Sequence, residues 1–396
     1  MDGPGPNDAF AVVPNAAMAI RDGRVAWVGV EHDLPGNVSG LEIDVQGALV
    51  SPGLVDAHTH LIYAGERSHE VRMRAQGRSY LEILQAGGGI LATVARTREA
   101  SDEDLLRATR KRLSRALLAG TTTVEVKSGY DLTAEGEIRL LGLINRLAEE
   151  GPWRIVPTAL GAHALPAEFR GNPEAYLDYL AEEYLPRVGG LAEAADIFCE
   201  PGVFSRDLSR RYLEAARRAG LRIKLHVDEL ADGGGAQLAA DLGADSADHC
   251  ALTPPAAFAA MAQAGVSAVV LPGTARYLDH GHMANARAML EAGGWVAIAS
   301  DGNPGSSPTE ALSLLMPWAA TWLKFTPEEV WTGVTRGGAQ ALRRRDAGRL
   351  AVGAPADFLV WDADHYAFPT YYYGTNLVRE VYIGGRRVAG NHAEVL

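Results

Sequence analysis

Histidine side chains stand at the ends of several predicted strands. His58 and His60 are two residues apart in LVDAHTH, where an apolar run ends. Because side chains alternate along a strand, both imidazoles project from the same face. A lone histidine at a strand end is more often structural, but this pair is accompanied at other strand ends by His163, His226, His249 and Asp301. The set predicts a site for one divalent metal ion, zinc or iron, since both bind imidazole nitrogen and carboxylate oxygen.

Such a metal would activate water for hydrolysis. It would lower the pKa of a bound water towards neutrality and so supply a hydroxide nucleophile. The leaving group then needs a proton shuttle. Glu229 follows His226 by three residues in HVDE and is close enough to serve the same water; the less favoured alternative is an ordinary carboxylate at a helix start. Other chemistries lack their motifs, because the sequence has no HExxH, GxSxG, GKS/T or PCxxC.

The elements that must position these residues alternate between apolar, β-branched runs and helical stretches. Helices are predicted from Ser101, Glu135 and Ser209, each ending at a glycine. Eight strands alternating with helices indicate a parallel sheet closed into a TIM-like (β/α)8 barrel, whose reactive groups lie at the C-terminal strand ends. The predicted strands are Ala48 to His60, Thr121 to Lys127, Arg154 to His163, Ala195 to Glu200, Arg222 to Asp228, Ser246 to His249, Val266 to Pro272 and Trp295 to Asp301.

The two ends of the chain have a different pattern. IRDGRVAWVG, ADFLVWDAD and EVYIGGRRV contain short alternating strands, and the DG and GG pairs are typical of hairpins. We expect both ends to pair into one small β-sandwich with the barrel inserted between them. The predicted division is residues 1–48 and 346–396 for the sandwich and 49–345 for the barrel.

Composition excludes several classes of partner. With 47% hydrophobic residues, 22% charged residues and a net charge of -12, the chain is typical of globular proteins and unsuited to nucleic acid. The uncharged stretch from Cys250 to Ala275 is broken by prolines and a glycine, which argues against a membrane span. Two cysteines, Cys199 and Cys250, provide no disulfide framework, and the first residues lack the features of a signal peptide. We therefore predict a cytoplasmic location and a small-molecule substrate.

The motifs of this sequence resemble those of the amidohydrolase superfamily. PGLVDAHTH, the strand-five and strand-six histidines and the strand-eight aspartate match its pattern, which implies a metal-dependent barrel and a terminal β-sandwich. Binuclear members carry a carboxylated lysine at the end of strand four. That strand reads ADIFCEP here, so the resemblance implies a mononuclear site.

Longer stretches resemble the imidazolonepropionase family within that superfamily. They follow in order along nearly the whole chain and read HLIYAGERSHE, LQAGGGILATVARTRE, TTVEVKSGYDL, LGAHALP, LHVDEL, SADH and SDGNPGSSPTE. The resemblance implies a homodimeric hydrolase that opens the cyclic amide of 4-imidazolone-5-propanoate to give N-formimidoyl-L-glutamate. It further implies that Glu229 handles the catalytic proton and contacts substrate, and that His249 polarises the ring carbonyl or orients the water. The implied metal ligands are His58, His60, His226 and Asp301.

The resemblance also implies substrate contacts. Arg67 would pair with a substrate carboxylate, for which its planar fork is suited, or else form a surface ion pair. Tyr130 and His163 would hydrogen-bond the ring and the carboxylate. The loop that follows Asp301 would either line the pocket or cap a helix over SPTEALSLLM. The residues concerned are Asn303, Gly305 and Ser306.

Two departures from the family pattern and two rival functions stay open. The usual SGYG reads SGYD, which puts Asp131 beside Tyr130, where it could weaken anion binding or point to solvent. The chain also starts in the loop before VVPNAAMAIRDG, so the first strand of the sandwich is expected to be missing.

The rivals are a deaminase of the same superfamily acting on a heteroaromatic amine, and an inactive relative that serves protein assembly. The second would be expected to lose metal ligands, yet every ligand position is filled.

Overall fold

Eight parallel strands form a barrel in the computed structural model, which describes residues 10–78, 82, 88–279 and 281–390. The strands lie in chain order, and each pairs with the next. A parallel bridge between Thr59 and Gly302 closes the ring beyond the ends of the first and last strands. The predicted TIM-like barrel is confirmed. Barrel strands one to eight are Leu54–Asp56, Thr121–Lys127, Arg154–Ala162, Ala194–Cys199, Arg222–Val227, Ser246–His249, Ser267–Val270 and Val296–Ile298.

Helices pack around the outside of the barrel and begin at capping residues. Ser101, Thr133 and Ser205 each accept a hydrogen bond from a backbone N–H in the first turn of the helix that follows. The three predicted helices are therefore present. The α-helices are His69–Ala75, Ile90–Glu99, Asp102–Leu118, Ala134–Glu150, Pro173–Tyr179, Arg206–Arg218, Gly235–Leu242, Pro255–Ala264, Pro272–Tyr277, Ala286–Glu291, Leu312–Trp322, Pro327–Thr332 and Gly338–Ala341. Turns of π-helix occupy Leu180–Tyr184 and Gly333–Gly337, and 3-10 turns occupy Glu31–Asp33, Ala167–Phe169, Leu185–Arg187 and Phe368–Thr370.

Strands from both ends of the chain build the separate β-structure. A hairpin pairs Ala16–Arg21 with Arg24–Val30, and a four-stranded antiparallel sheet joins Val50–Pro52, Phe358–Trp361, Val378–Ile383 and Arg386–Gly390 in the spatial order fourth, third, second, first. The hairpin is tied to the C-terminal part of the chain by the hydrogen bond from Val25 N to Ala354 O, 2.9 Å. A small apolar core fills the space between them and includes Val25, Leu350, Phe358, Val360 and Tyr382. Residues 1–9 and 391–396 of the predicted sandwich lie outside the described residues.

The predicted strand from Ala48 to His60 is in fact two strands that belong to different sheets. Val50–Pro52 pairs with Phe358–Trp361, whereas Leu54–Asp56 begins the barrel. The chain passes from one sheet to the other at Gly53, where a Cβ atom would lie 2.1 Å from Thr122 Oγ1. Only glycine permits this close approach, so the apolar run continues through a point at which its pairing partner changes.

The uncharged stretch from Cys250 to Ala275 divides as its prolines and glycine predict. It forms a loop, the helix Pro255–Ala264, the seventh barrel strand and the start of a short helix. Within the described part of the chain, none of the helices combines the length and the apolar character needed to cross a bilayer.

Candidate metal centre and active site

Four donor atoms converge at the C-terminal mouth of the barrel. His60 Nε2 lies 3.2 Å from His58 Nε2 and 3.3 Å from His226 Nε2. Asp301 Oδ1 lies 3.5 Å from the Nε2 atoms of both His58 and His60. Ligands held about 2.0–2.2 Å from a tetrahedral ion lie roughly 3.3–3.6 Å from one another, so the spacing fits a single ion such as zinc. The four predicted ligands therefore stand together, contributed by the first, fifth and eighth strands.

Burial keeps the three histidines in the neutral state that binds metal and acts in the opposite sense on Asp301. Desolvation, together with nearby Lys127 and the other imidazoles, lowers the pKa of His58, His60 and His226 well below 6.5. A neutral imidazole offers the lone pair that a metal needs. Burial raises the pKa of Asp301 to about 6, although the hydroxyl of Thr274 donates a hydrogen bond to its carboxylate and opposes the shift.

Buried carboxylates orient two of the histidines. His58 Nδ1 lies 2.6 Å from Asp248 Oδ2, and His226 Nδ1 lies 3.1 Å from Asp196 Oδ2. The hydrogen bond to Asp248 fixes the proton of His58 on Nδ1, leaves the lone pair on Nε2 and raises its basicity. Asp196 lies within ion-pair distance of His226 Nδ1 without the alignment of a hydrogen bond. The spacing of the histidines does not indicate either aspartate. The available signal was a charged residue within the apolar strands ADIF and SADH.

Glu229 and His249 lie beside the metal ligands. Glu229 Oε1 is 3.6 Å from His249 Nδ1, and the two residues line a largely apolar pocket between the ends of strands five to seven. Burial raises the pKa of Glu229 to about 8, and the negative charges of Asp301 and Glu200 add to the shift. The carboxylate of Glu200 accepts hydrogen bonds from the backbone N–H groups of residues 229, 230 and 231, 2.7–3.1 Å, and thereby fixes the loop that carries Glu229.

Backbone strain marks the same strand ends. Asp228, His249 and Asp301 have left-handed φ angles of 51°, 71° and 52°. Residues other than glycine adopt this conformation at a cost and persist in it where the surroundings enforce it, commonly at functional sites. The turns that follow strands five, six and eight are thus shaped to present side chains at the barrel mouth.

Arg67 is held in a fixed orientation next to the pocket. Its Nε and Nη2 atoms donate to Glu70 Oε1 and Oε2, 2.7 and 2.9 Å, and Glu70 is fully buried. Arg74 and the backbone N–H of Gly89 also donate to Glu70, and these bonds outweigh burial and lower its pKa to about 2. Arg67 thus forms an ion pair, but a partly buried one rather than the surface pair considered above. Its Nη1 edge faces Gly305, where a Cβ atom would lie 2.0 Å away.

The rings of Tyr130 and His163 pack against His60 and against each other. The His163 ring stacks on His60 at 4.8 Å, and the Tyr130 ring meets His60 at 6.0 Å and His163 at 5.3 Å. His163 Nδ1 lies 2.9 Å from Gly129 O and must donate to it, so Nε2 carries the lone pair. Burial lowers the pKa of His163 to about 4 and raises that of Tyr130 well above 10, so both groups are neutral near pH 7.

Asp131 points neither into the pocket nor to solvent. Its carboxylate accepts hydrogen bonds from the backbone and hydroxyl of Thr133 at the start of the helix Ala134–Glu150. Arg98 Nε lies 3.8 Å away and neutralises it further. Glu137, which is buried, accepts hydrogen bonds from the N–H groups of residues 129, 131 and 132 and so holds the turn that presents Tyr130.

The residues after Asp301 form a closed loop rather than a helix cap. The Asn303 side chain donates to Asp301 O and Ser306 Oγ and accepts from the N–H groups of Gly305 and Ser306, 2.7–2.8 Å. These four bonds use every donor and acceptor of the amide. The next helix begins only at Leu312, so the alternative of a cap for SPTEALSLLM is wrong. The loop packs against Asp301 on one side and Arg67 on the other.

Comparison with known proteins identifies the family. The family model described as "Amidohydrolase family" matches residues 66–389. The imidazolonepropionase of Bacillus cytotoxicus is 44% identical over 377 residues, which is 94% of this chain and 89% of the relative. The imidazolonepropionase of Alkaliphilus metalliredigens is 43% identical over 383 residues, 95% of this chain and 91% of the relative. The chain belongs to the imidazolonepropionase family. The predicted family and its place among the amidohydrolases are confirmed.

Solved structures of two deaminases share the fold at low sequence identity. An adenosine deaminase from Xanthomonas campestris with bound zinc superposes with a TM-score of 0.72 at 19% identity and covers 97% of this chain and 90% of its own. A 5-methylcytosine deaminase from Klebsiella pneumoniae gives 0.75 at 17% identity, with 96% of each chain covered. These likenesses support the barrel, and the imidazolonepropionase family together with the histidine cluster supports a divalent-metal site.

Proposed function

We propose that this protein hydrolyses 4-imidazolone-5-propanoate to N-formimidoyl-L-glutamate. The observation that carries the proposal is the convergence of His58, His60, His226 and Asp301, with Glu229 and His249 beside them. Relatives named imidazolonepropionase cover nearly the whole chain, so that the same substrate is the simplest assignment.

One divalent ion, zinc or iron, would be held by the three Nε2 atoms and the Asp301 carboxylate. When bound, such an ion lowers the pKa of a water molecule and so supplies a nucleophile near neutral pH. Three imidazoles and one carboxylate suit either metal. The donor set does not choose between zinc and iron, and metal analysis of the purified protein distinguishes them.

Glu229 would move the proton. Its carboxylate accepts the proton of the attacking water and returns it to the ring nitrogen as the amide C–N bond breaks, which leaves a new carboxylate and the formimidoyl nitrogen. The apolar pocket around Glu229 raises its pKa to about 8, which suits a group that must both accept and donate near neutrality. His249, 3.6 Å from Glu229, would orient the water or polarise the ring carbonyl.

Three groups would bind the substrate. Glu70 occupies the Nε–Nη2 side of Arg67, so its Nη1 edge would receive the propanoate carboxylate. Tyr130 has no hydrogen-bond partner among the described residues for its hydroxyl, which would donate to the same carboxylate. His163 Nε2 is an acceptor and would take the hydrogen bond from a ring N–H. The loop of Asn303, Gly305 and Ser306 would line the pocket through its backbone, since the Asn303 amide is fully used within the loop.

Turnover of the substrate tests the proposal. The substrate would be generated in place from urocanate by urocanase, and loss of its ultraviolet band and formation of N-formimidoylglutamate would be followed. We expect activity in the metal-replete protein and its loss in Glu229→Gln and Asp301→Ala, with Glu149→Gln, on an exposed helix position, as the control. Ammonia release from cytosine or guanine without ring opening of the imidazolone would instead favour the deaminase alternative and contradict the proposal.

Three coarser expectations complete the proposal. The family resemblance suggests a homodimer, which light scattering of the purified protein tests. The cysteine content suggests a cytoplasmic location, which cell fractionation tests. The division into a sandwich of residues 1–48 and 346–396 and a barrel of residues 49–345 is tested by limited proteolysis.

A further inference from the structure

A lysine ammonium group lies beneath the proposed metal site, at the end of the second barrel strand. Lys127 is completely buried, and its Nζ atom is 2.6 Å from Asp196 Oδ2, 2.9 Å from Glu125 Oε2 and 3.3 Å from Asp248 Oδ2. Burial lowers the pKa of Lys127, but the three carboxylates outweigh it and raise the pKa above its ordinary value. Lys127 is therefore a permanent cation surrounded by three carboxylate oxygens.

The same oxygens hold two of the metal ligands. Asp248 Oδ2 contacts His58 Nδ1 at 2.6 Å, and Asp196 Oδ2 contacts His226 Nδ1 at 3.1 Å. Lys127 thus connects the two histidines, each through one carboxylate. Loss of its ammonium group would remove the cation from both oxygens that face the histidines at once. Asp196 Oδ1 would keep its hydrogen bond from the N–H of Ile197, and Asp248 Oδ1 would keep that from the hydroxyl of Ser246.

Charge balance explains why the cation is needed. Glu125, Asp196 and Asp248 carry three negative charges, and Lys127 and Lys224 carry two positive ones. We call these five residues the buried charge cluster. Adding Asp301 leaves two uncompensated negative charges, which one divalent ion above the cluster would neutralise. Loss of either ammonium would leave one more negative charge uncompensated. Charge alone therefore does not distinguish Lys127 from Lys224, and the position of each ammonium group must decide whether a second ion can enter.

The place of Lys127 Nζ is also suited to a metal. Oxygens of Glu125, Asp196 and Asp248 lie 2.6–3.3 Å from Nζ, and carboxylate oxygens are good ligands for hard divalent cations. The ammonium group stands among these oxygens. Lys224, by contrast, contacts Glu125 Oε1 at 2.6 Å and Ala57 O at 3.1 Å but lies 3.8 Å from Asp248.

We propose that Lys127 is a positioning residue that acts as a built-in cation in place of a second metal ion. It orients His58 and His226 through Asp248 and Asp196, and it keeps the centre mononuclear by occupying the position between the three carboxylates. The inference rests on the proposed metal site but not on the identity of the substrate.

Metal stoichiometry and release in Lys127→Met test the proposal. Metal-stripped full-length protein would be dialysed against zinc or manganese and analysed by mass spectrometry, and zinc release would be timed with a chromophoric chelator after loading one equivalent. We expect one ion per chain in the wild type and two in Lys127→Met. We expect the single zinc to leave the variant about 10- to 100-fold faster, as is typical when the partner of a ligand is lost.

Lys224→Met is the matched control, since it removes the same charge from the same cluster without a contact to Asp196. It should bind one ion and release zinc at nearly the wild-type rate. One ion with wild-type release in Lys127→Met, or two ions in both variants, would overturn the proposal. Turnover measured on the same wild-type preparation reports on the proposed function separately, because the metal readouts do not depend on substrate.

A charge-balanced double variant covers the case in which Lys127→Met folds poorly. Lys127→Met with Asp196→Asn retains the net charge of the buried charge cluster, so we expect it to fold, bind one ion and release zinc about 10- to 100-fold faster. Wild-type release from the double variant would contradict the positioning role. Failure of Lys127→Met to fold in the presence of manganese, while the double variant folds, would contradict replacement of the ammonium by a divalent ion.

Discussion

Glu70 accepts two hydrogen bonds from Arg67, from Nε to Oε1 at 2.7 Å and from Nη2 to Oε2 at 2.9 Å. Because Glu70 is fully buried and bound to Arg74 and the backbone of Gly89 as well, the guanidinium has one available direction. The pocket therefore offers an anion a rigid edge instead of a mobile charge. This rigidity lowers the entropy lost when a carboxylate binds.

Arg67→Lys should weaken substrate binding more than the chemical step. Lysine cannot reproduce the pair with Glu70 and an edge for the substrate at the same time. A hydrogen bond to a charged group is worth roughly 1.5–3 kcal/mol, so we expect KM to rise about 10- to 100-fold with a smaller change in kcat. Arg72→Lys, on the exposed side of the following helix His69–Ala75, is the control. An equal fall in kcat with unchanged KM would argue against carboxylate binding by Arg67.

Gly305→Ala should act on the same binding step from the opposite side. The new methyl group would lie 2.0 Å from Arg67 Nη1 and 2.6 Å from its Cζ, so the guanidinium must move. We expect KM to rise about tenfold or more with metal content unchanged, as measured by steady-state kinetics and metal analysis. A normal KM would show that Arg67 binds substrate from another position.

Gly142→Ala provides the companion control and a prediction of its own. Gly142 lies on the exposed face of the helix Ala134–Glu150, and nothing lies within 4 Å of the added methyl group. Alanine in a helix interior is favoured by about 0.5–1 kcal/mol over glycine. Chemical denaturation should therefore give a higher free energy of unfolding with unchanged activity, and a loss of stability would contradict the helix assignment.

The pH dependence of turnover should report Glu229. Its carboxylate must be ionised to accept a proton, and its raised pKa of about 8 means that it is protonated at lower pH. A bound cation opposes this shift, so kcat/KM should rise with pH through an apparent pKa between about 4.5 and 8. Glu229→Gln should be roughly 100- to 10,000-fold slower and lack this limb.

Glu200→Gln tests the cause of that shift. The charge of Glu200 contributes to the raised pKa of Glu229, after burial and Asp301. Removing the charge should move the acidic limb of the profile to lower pH while leaving metal content unchanged. A limb that stays in place would assign it to a group other than Glu229.

Metal removal should lower thermal stability as well as activity. An ion that binds only the folded state stabilises it by about 2.7 kcal/mol at 100 times its Kd. Chelation should therefore lower Tm by several degrees, with recovery on addition of zinc. Asp301→Ala should show a smaller shift at the same zinc concentration, and identical shifts would indicate that zinc binds elsewhere.

The barrel could be predicted because its strands are apolar, β-branched and separated by capped helices. The second strand, Thr121–Lys127, was predicted to the residue. The run from Ala48 to His60 was read as one strand because its hydrophobicity is continuous, and the change of sheet at Gly53 depends on contact with Thr122, which is distant in sequence. The local hydrophobic pattern does not indicate a contact between residues so far apart in the sequence.

The four proposed metal ligands could be located from the strand ends, whereas the pattern of histidines does not indicate the carboxylates and lysines around them. Glu125 and Lys127 stand two apart in TTVEVK, and Lys224 and His226 stand two apart in IKLHV. Period-two spacing places each pair on one face, so charged residues inside buried parallel strands were a usable signal. Which carboxylate meets which cation depends on the register of four strands.

Closure of the barrel runs directly through the metal site. The backbone N–H of Asp301 donates to His58 O at 3.0 Å, and Thr59 bridges Gly302 beside it. The two ends of the barrel sequence therefore meet at the ligands themselves. A growing chain cannot assemble the complete ligand set until its last strand has been synthesised and docked, so tight metal capture must follow the finished fold. An ion held there would link the first strand to the last, so only a completely folded chain would retain it.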